Sequence, residues 1–86
     1  MHTICAEVTS EFLLYLQSRG NDLITPAPQH GFPGLVAGDK WCVCALSWLD
    51  AYENGVAAPV VLEACDSSVL KHIPLAALQE HAIKDE

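Results

Sequence analysis

The stretch Gly38–Gly55, GDKWCVCALSWLDAYENG, decides the fold, because its first half reads either as a strand or as the start of one long helix. As a strand, Trp41–Leu46 is a run of six apolar residues buried on both faces. A two-turn helix then follows, with Ser47 as N-cap, Asp50 three residues on and Asn54-Gly55 as its stop. As one helix, Asp39 is the cap and Lys40, Ser47, Asp50, Glu53 and Asn54 share a polar arc, but Val43 and Leu46 fall inside that arc. The intrusion of two apolar residues favours the strand.

Working outward, HTICAEV alternates His2, Ile4, Ala6 and Val8 against Thr3, Cys5 and Glu7, the period of a strand with one buried face. Thr9 or Ser10 then caps a helix over SEFLLYLQSR, with Glu11 near its positive end, Gly20 at its close, and Phe12, Leu13 and Leu16 as its buried stripe. Residues 20–39 hold neither period and form a long Pro/Gly-rich loop, anchored by Leu23, Ile24, Phe32 and Leu35. APVVLEAC is a further strand with Pro59 at its start, and Asp66 or Ser67 caps a short helical turn containing Val69 and Leu70. Pro74 opens a final helix with Leu75, Leu78 and Ala82 on one face. The expected fold is α+β: a single domain over 1–86, with about three short strands, three or four helices and the long loop.

A domain of 86 residues that is 51% apolar and 17% charged carries more apolar surface than its interior can hide, so self-association into a homo-oligomer is expected. Four Lys or Arg against eleven Asp or Glu, a formal charge of -7, argue against nucleic acid as a partner. No apolar run is long enough to span a bilayer, and the opening MHTICAEVTSEF lacks the basic start and apolar block of a signal peptide, which points to a cytoplasmic protein without a membrane partner. On that reading Cys5, Cys42, Cys44 and Cys65 are reduced thiols.

Cys42 and Cys44 point to one side of a strand, so with Cys5 on a neighbouring strand and His2 nearby, a zinc site of His2, Cys5, Cys42 and Cys44 is an alternative. The preferred reading treats these cysteines as small hydrophobes packed in the interior, and redox or nucleophilic use is a further alternative. A second cluster is GND: its plain reading is a helix stop and an Asx turn at Asp22. Its functional reading gathers Asn21, Asp22, Thr25, Phe32, Asp39 and Trp41 around the mouth of the loop as a ligand-binding surface. A hydrolase using Asp22 with Asn21 and Thr25 is a weaker extension of it. His72 and His81 are expected at solvent or an interface, and Trp41 and Trp48 as core or interface anchors. No triad order, phosphate-cradling motif or dinucleotide fingerprint occurs, and no cofactor is expected. The function expected is a binding or interaction module, with a small molecule, a protein or a second copy as partner, rather than an enzyme.

The order HTICA, Thr9 with EFL, RGNDLITPAP, GFPGL, GDKWCVCALSW and APVVLEA resembles the bacterial family catalogued as domain of unknown function 2237, across nearly the whole chain. Cys65 and His30 depart from the types that the family places there. The resemblance implies no reaction, substrate or cofactor. Family members carry an upstream Gly-rich segment with an adjacent cysteine pair, whereas here Met1 directly precedes His2. The resemblance therefore implies a shortened form, in which another subunit covers the surface that the upstream segment would cover.

Overall fold

The computed structural model describes residues 2–83, with side chains from Thr3 onward. Strand β1 (His2–Glu7) pairs antiparallel with β2 (Lys40–Cys44). The register sets Ile4 opposite Val43, Cys5 opposite Cys42, Ala6 opposite Trp41 and Glu7 opposite Lys40, with an irregularity between His2 and Ile4. The alternation of β1 is realised: Ile4, Ala6 and Val8 are buried, while Thr3, Cys5 and Glu7 on the opposite face are half-buried. One face of the sheet therefore belongs to the core, and the other is the outer face.

Helix α1 (Ser10–Ser18) starts as expected, with the Thr9 hydroxyl accepting from the Phe12 N–H at 3.1 Å, and it buries Phe12, Leu13 and Leu16. At its end Gly20 takes φ +88°, a left-handed turn that glycine adopts without steric cost. The opening stretch is a strand, but a shorter one than Trp41–Leu46. It stops at Cys44, and α2 (Ala45–Glu53) begins at once. Cys44, not Ser47, occupies the capping position. Starting the helix at Ala45 turns Ala45, Trp48 and Ala51 inward and leaves Leu46 64% exposed. Two-sided burial of the run is thus corrected, because three- and four-residue spacing takes over before Leu46. The Asn54-Gly55 stop holds.

The third strand is reduced to a bridge. The segment after Pro59 lies along the free edge of β1 through three hydrogen bonds: Glu7 N–H to the Pro59 carbonyl (2.9 Å), Val61 N–H to the Cys5 carbonyl (2.8 Å) and Asp66 N–H to the Thr3 carbonyl (3.0 Å). Between the last two bonds β1 advances two residues, from 5 to 3, and its partner five, from 61 to 66. The surplus folds into a 3-10 turn at Leu62–Ala64, so the described residues contain a two-stranded sheet and the domain is α+β in that form. A second 3-10 turn, Ser67–Lys71, buries Val69 and exposes Leu70. Helix α3 (Leu75–His81) follows Pro74, burying Ala77 and Leu78 and leaving Leu75 exposed. Its end is fixed to Val60, which donates to the His81 carbonyl and accepts from the Ile83 N–H, each at 2.9 Å.

The 20–39 loop is pinned. Ala27 and Phe32 bond reciprocally (2.7 and 3.1 Å) across a 3-10 turn at Pro28–His30, and Leu35 N–H donates to the Leu23 carbonyl at 2.8 Å. At its far end Gly38 N–H donates to the Val8 carbonyl, and Asp39 returns a carbonyl to the Val8 N–H. Leu35 is buried in the core and Leu23, Ile24 and Phe32 pack on its edge. Among the described residues no helix is long and apolar enough to cross a membrane.

Candidate functional site

Antiparallel register brings Cys5 face to face with Cys42 on the outer side of the sheet, and the two are joined as a disulfide. This overturns the expectation of four reduced cysteines in the interior. All four are half-buried: Cys5, Cys42 and Cys44 because β1 and β2 commit their other faces to Ile4, Ala6 and Val43, and Cys65, after the Leu62–Ala64 turn, because it packs against the edge of the core. Cys44 and Cys65 lie outside the disulfide, and the Cys65 thiol donates to the Val61 carbonyl at 3.4 Å. The disulfide also uses two of the four residues of the alternative zinc set, and the His2 side chain of that set lies outside the described residues. Among the described residues no group of three or more His, Cys, Asp or Glu is placed to hold a metal.

Beside the disulfide lies an open cleft of about 530 Å³, lined by Cys5, Lys40, Trp41, Cys42, Val61 and Ala64. Each wall has a structural origin. β1 and β2 supply the disulfide, Lys40 and Trp41, and the residues looped out of register after Val61 supply the opposite side. Trp41 is 37% exposed and meets Phe32 with ring centroids 5.6 Å apart, tilted by 54°. The reciprocal Ala27–Phe32 bonds hold Phe32 in that contact, so the loop supports the cleft through Trp41.

The residues expected around the loop mouth thus divide. Phe32 and Trp41 come together, Trp41 lining the cleft and Phe32 packed against it. Asp22 and Thr25 come together in an Asx turn, where Asp22 Oδ1 accepts from the N–H groups of Ile24 (2.9 Å) and Thr25 (3.0 Å) and from Gln17 Nε2 (3.3 Å). Bonding from Thr25 first, then from the Ile24 amide, holds the Asp22 carboxyl below the usual range. An ionised carboxylate so engaged makes a poor general base, and the turn reading of GND accounts for it. Asn21 is exposed beside it. Asp39 turns back on the loop, its Oδ2 accepting from the Val36 N–H at 3.0 Å.

Other polar and aromatic groupings were not read from the sequence. Asp50 on α2 accepts from the Tyr15 hydroxyl (2.8 Å) and from Arg19 Nε (3.0 Å), tying α1 to α2. The Tyr15–Arg19 spacing of four residues was the available signal, but it names no partner. The Tyr15 hydrogen bond, then Arg19, holds the Asp50 carboxyl low. A depressed carboxyl contributes stability above its unfolded value, near pH 3.9, and loses it as pH falls through the lower folded value. Asp50→Asn should therefore reduce the drop in urea midpoint between pH 7 and pH 3; an unchanged drop would remove the link. His81 was expected at solvent or an interface. It is half-buried, edge-on to Trp48 (5.7 Å) and to Tyr52 (5.5 Å), whereas His72 is exposed.

Comparison with known families gives one informative result: the model of the family described as "Uncharacterized protein conserved in bacteria (DUF2237)" matches residues 1–82. No curated protein matches the chain.

Proposed function

The chain belongs to that uncharacterised bacterial family, and from its own geometry we propose that it is a binding module whose working surface is the cleft beside Trp41. The observation that carries this reading is the cleft itself. Its volume of about 530 Å³ is that of a small-molecule site, and its lining is apolar except for Lys40 at one side. The occupant that fits is a small apolar or aromatic group, able to pack against Trp41 and the sulfur atoms and to leave any polar end towards Lys40. The 20–39 loop serves recognition indirectly, by holding Phe32 behind Trp41.

Titration with an anilinonaphthalene sulfonate dye, an apolar probe with one anionic end, tests the reading. Saturable binding is expected, weakened about tenfold in Trp41→Ala if one aromatic contact is lost, and weakened also in Ala64→Gln, which crowds the opposite wall. Binding that is unsaturable, or equal in all three proteins, would remove the cleft as the working surface.

The module also pairs with a second copy of itself. Supporting this, exposed Leu62, Leu70 and Leu75 share one groove with Leu78, on a chain with surplus apolar content. Light scattering should give the mass of a dimer or larger at micromolar concentration, and a monomer mass would contradict it.

A further inference from the structure

We infer that the Cys5–Cys42 disulfide is a reversible redox pair, and that the cleft presents it to thiol-bearing substrates. The inference deepens the binding reading and rests on it. Three observations carry it. The two cysteines do not close a core: they sit half-buried on the outer face and line the cleft together. Apolar groups flank them, with Trp41 and Val61 to hold a substrate side chain while its sulfur reaches the pair. The strands they join are also held independently of the bond, by the β1–β2 ladder and by Ile4, Ala6 and Val43 in the core. Opening the disulfide therefore leaves strand pairing in place, a condition that a redox pair must meet and a purely structural staple need not.

The exchange balances with a dithiol as the co-reactant. A substrate thiolate attacks one sulfur of the pair, forming a mixed disulfide and releasing the other cysteine as a thiolate, which takes up a proton. The second thiolate of the substrate attacks the substrate sulfur of that mixed disulfide, and the second cysteine leaves and is protonated. The substrate is oxidised by two electrons to a disulfide, and Cys5 and Cys42 become two thiols. A substrate disulfide reverses both steps. The shared chemistry is a thiol pair next to an apolar group, carried either by a small molecule or by a peptide.

The test uses the full chain in non-denaturing buffer, with dithiothreitol in one arm and, in the other, a short peptide bearing two cysteines beside a phenylalanine. Aliquots are quenched in acid, alkylated and mapped by mass spectrometry at Cys5 and Cys42, while near-UV circular dichroism follows the packing of Trp48. Expected are opening of the pair in both arms with the near-UV signal kept, and closure again on adding oxidised dithiothreitol. Trp41→Ala should slow the peptide arm about tenfold. A pair that opens only in denaturant, or whose opening abolishes the near-UV signal, is a structural staple and overturns the inference. An S-methylated form of the peptide separates the two readings. If it competes with the dye in the cleft while its thiol form leaves the disulfide intact, binding stands and exchange falls; if neither form competes with the dye, the cleft does not take a thiol-bearing peptide and the inference falls, while the dye titration alone decides the binding reading.

Discussion

Trp48→Ala is expected to remove most of the protein's stability at room temperature. Trp48 is fully buried, stacks on Tyr52 at 5.4 Å with planes 15° apart, meets the edge of His81, and donates its indole N–H to the Ala58 carbonyl at 2.9 Å. It thus joins α2, the end of α3 and the chain leading into Pro59. Removing a buried tryptophan side chain costs about 3–5 kcal/mol, against a total stability that for small domains lies near the low end of about 5–15 kcal/mol. Trp48→Phe separates the two contributions. It keeps an aromatic ring but leaves the Ala58 carbonyl without its donor, a loss of about 1–3 kcal/mol. Urea unfolding followed by circular dichroism measures both, and a Trp48→Ala loss below about 1 kcal/mol would contradict this account of the core.

Gly34→Ala is expected to dislodge the 20–39 loop. Gly34 adopts φ +82°, and a Cβ built there runs into the Ile24 carbonyl. The conformation alone costs a residue with a Cβ about 1–3 kcal/mol, and the collision is with backbone, next to the Leu23–Leu35 hydrogen bond that pins the loop. Gly20 is the control. It has φ +88° with open space where a Cβ would stand, so Gly20→Ala pays the angle without the collision. The urea midpoint of Gly34→Ala should lie below that of Gly20→Ala, with faster hydrogen exchange at the Leu35 amide. Equal midpoints would show that the loop accommodates the added methyl. Because the loop holds Phe32 against Trp41, dye binding in the cleft should weaken in Gly34→Ala as well.

Local patterns in the sequence carried most of the architecture. The alternation of Ile4, Ala6 and Val8 marked β1, Thr9 or Ser10 marked the start of α1, Phe12, Leu13 and Leu16 marked its buried face, and Asn54-Gly55 marked the end of α2. Each is decided within a few residues, by side-chain period or by capping of free amides. Local pattern fails where neighbours in space compete. Leu46 was expected inside because a short apolar run has no period of its own, and APVVLEAC was expected to be a regular strand because nothing in it announces three surplus residues against β1.

The candidate site was less legible. Of the residues expected to bind a ligand, Trp41 lines the cleft and Phe32 packs behind it, whereas Asp22 and Asp39 bond the loop to itself. Val61 and Ala64 carry no signal at all, since an apolar residue lining a cleft has the same letter as one in a core.

By itself the sequence determined the apolar faces of β1 and α1, where α1 begins and α2 ends, and that the long loop needs glycine and proline; these follow from the residues' own shapes and hydrogen-bonding groups. Only the tertiary structure decided that Cys5 meets Cys42. A strand's own pattern says which side a residue faces, but strand register is set by the packing of the opposite face, here Ile4 and Ala6 against the core, and that same register carries the two cysteines into contact beside the cleft.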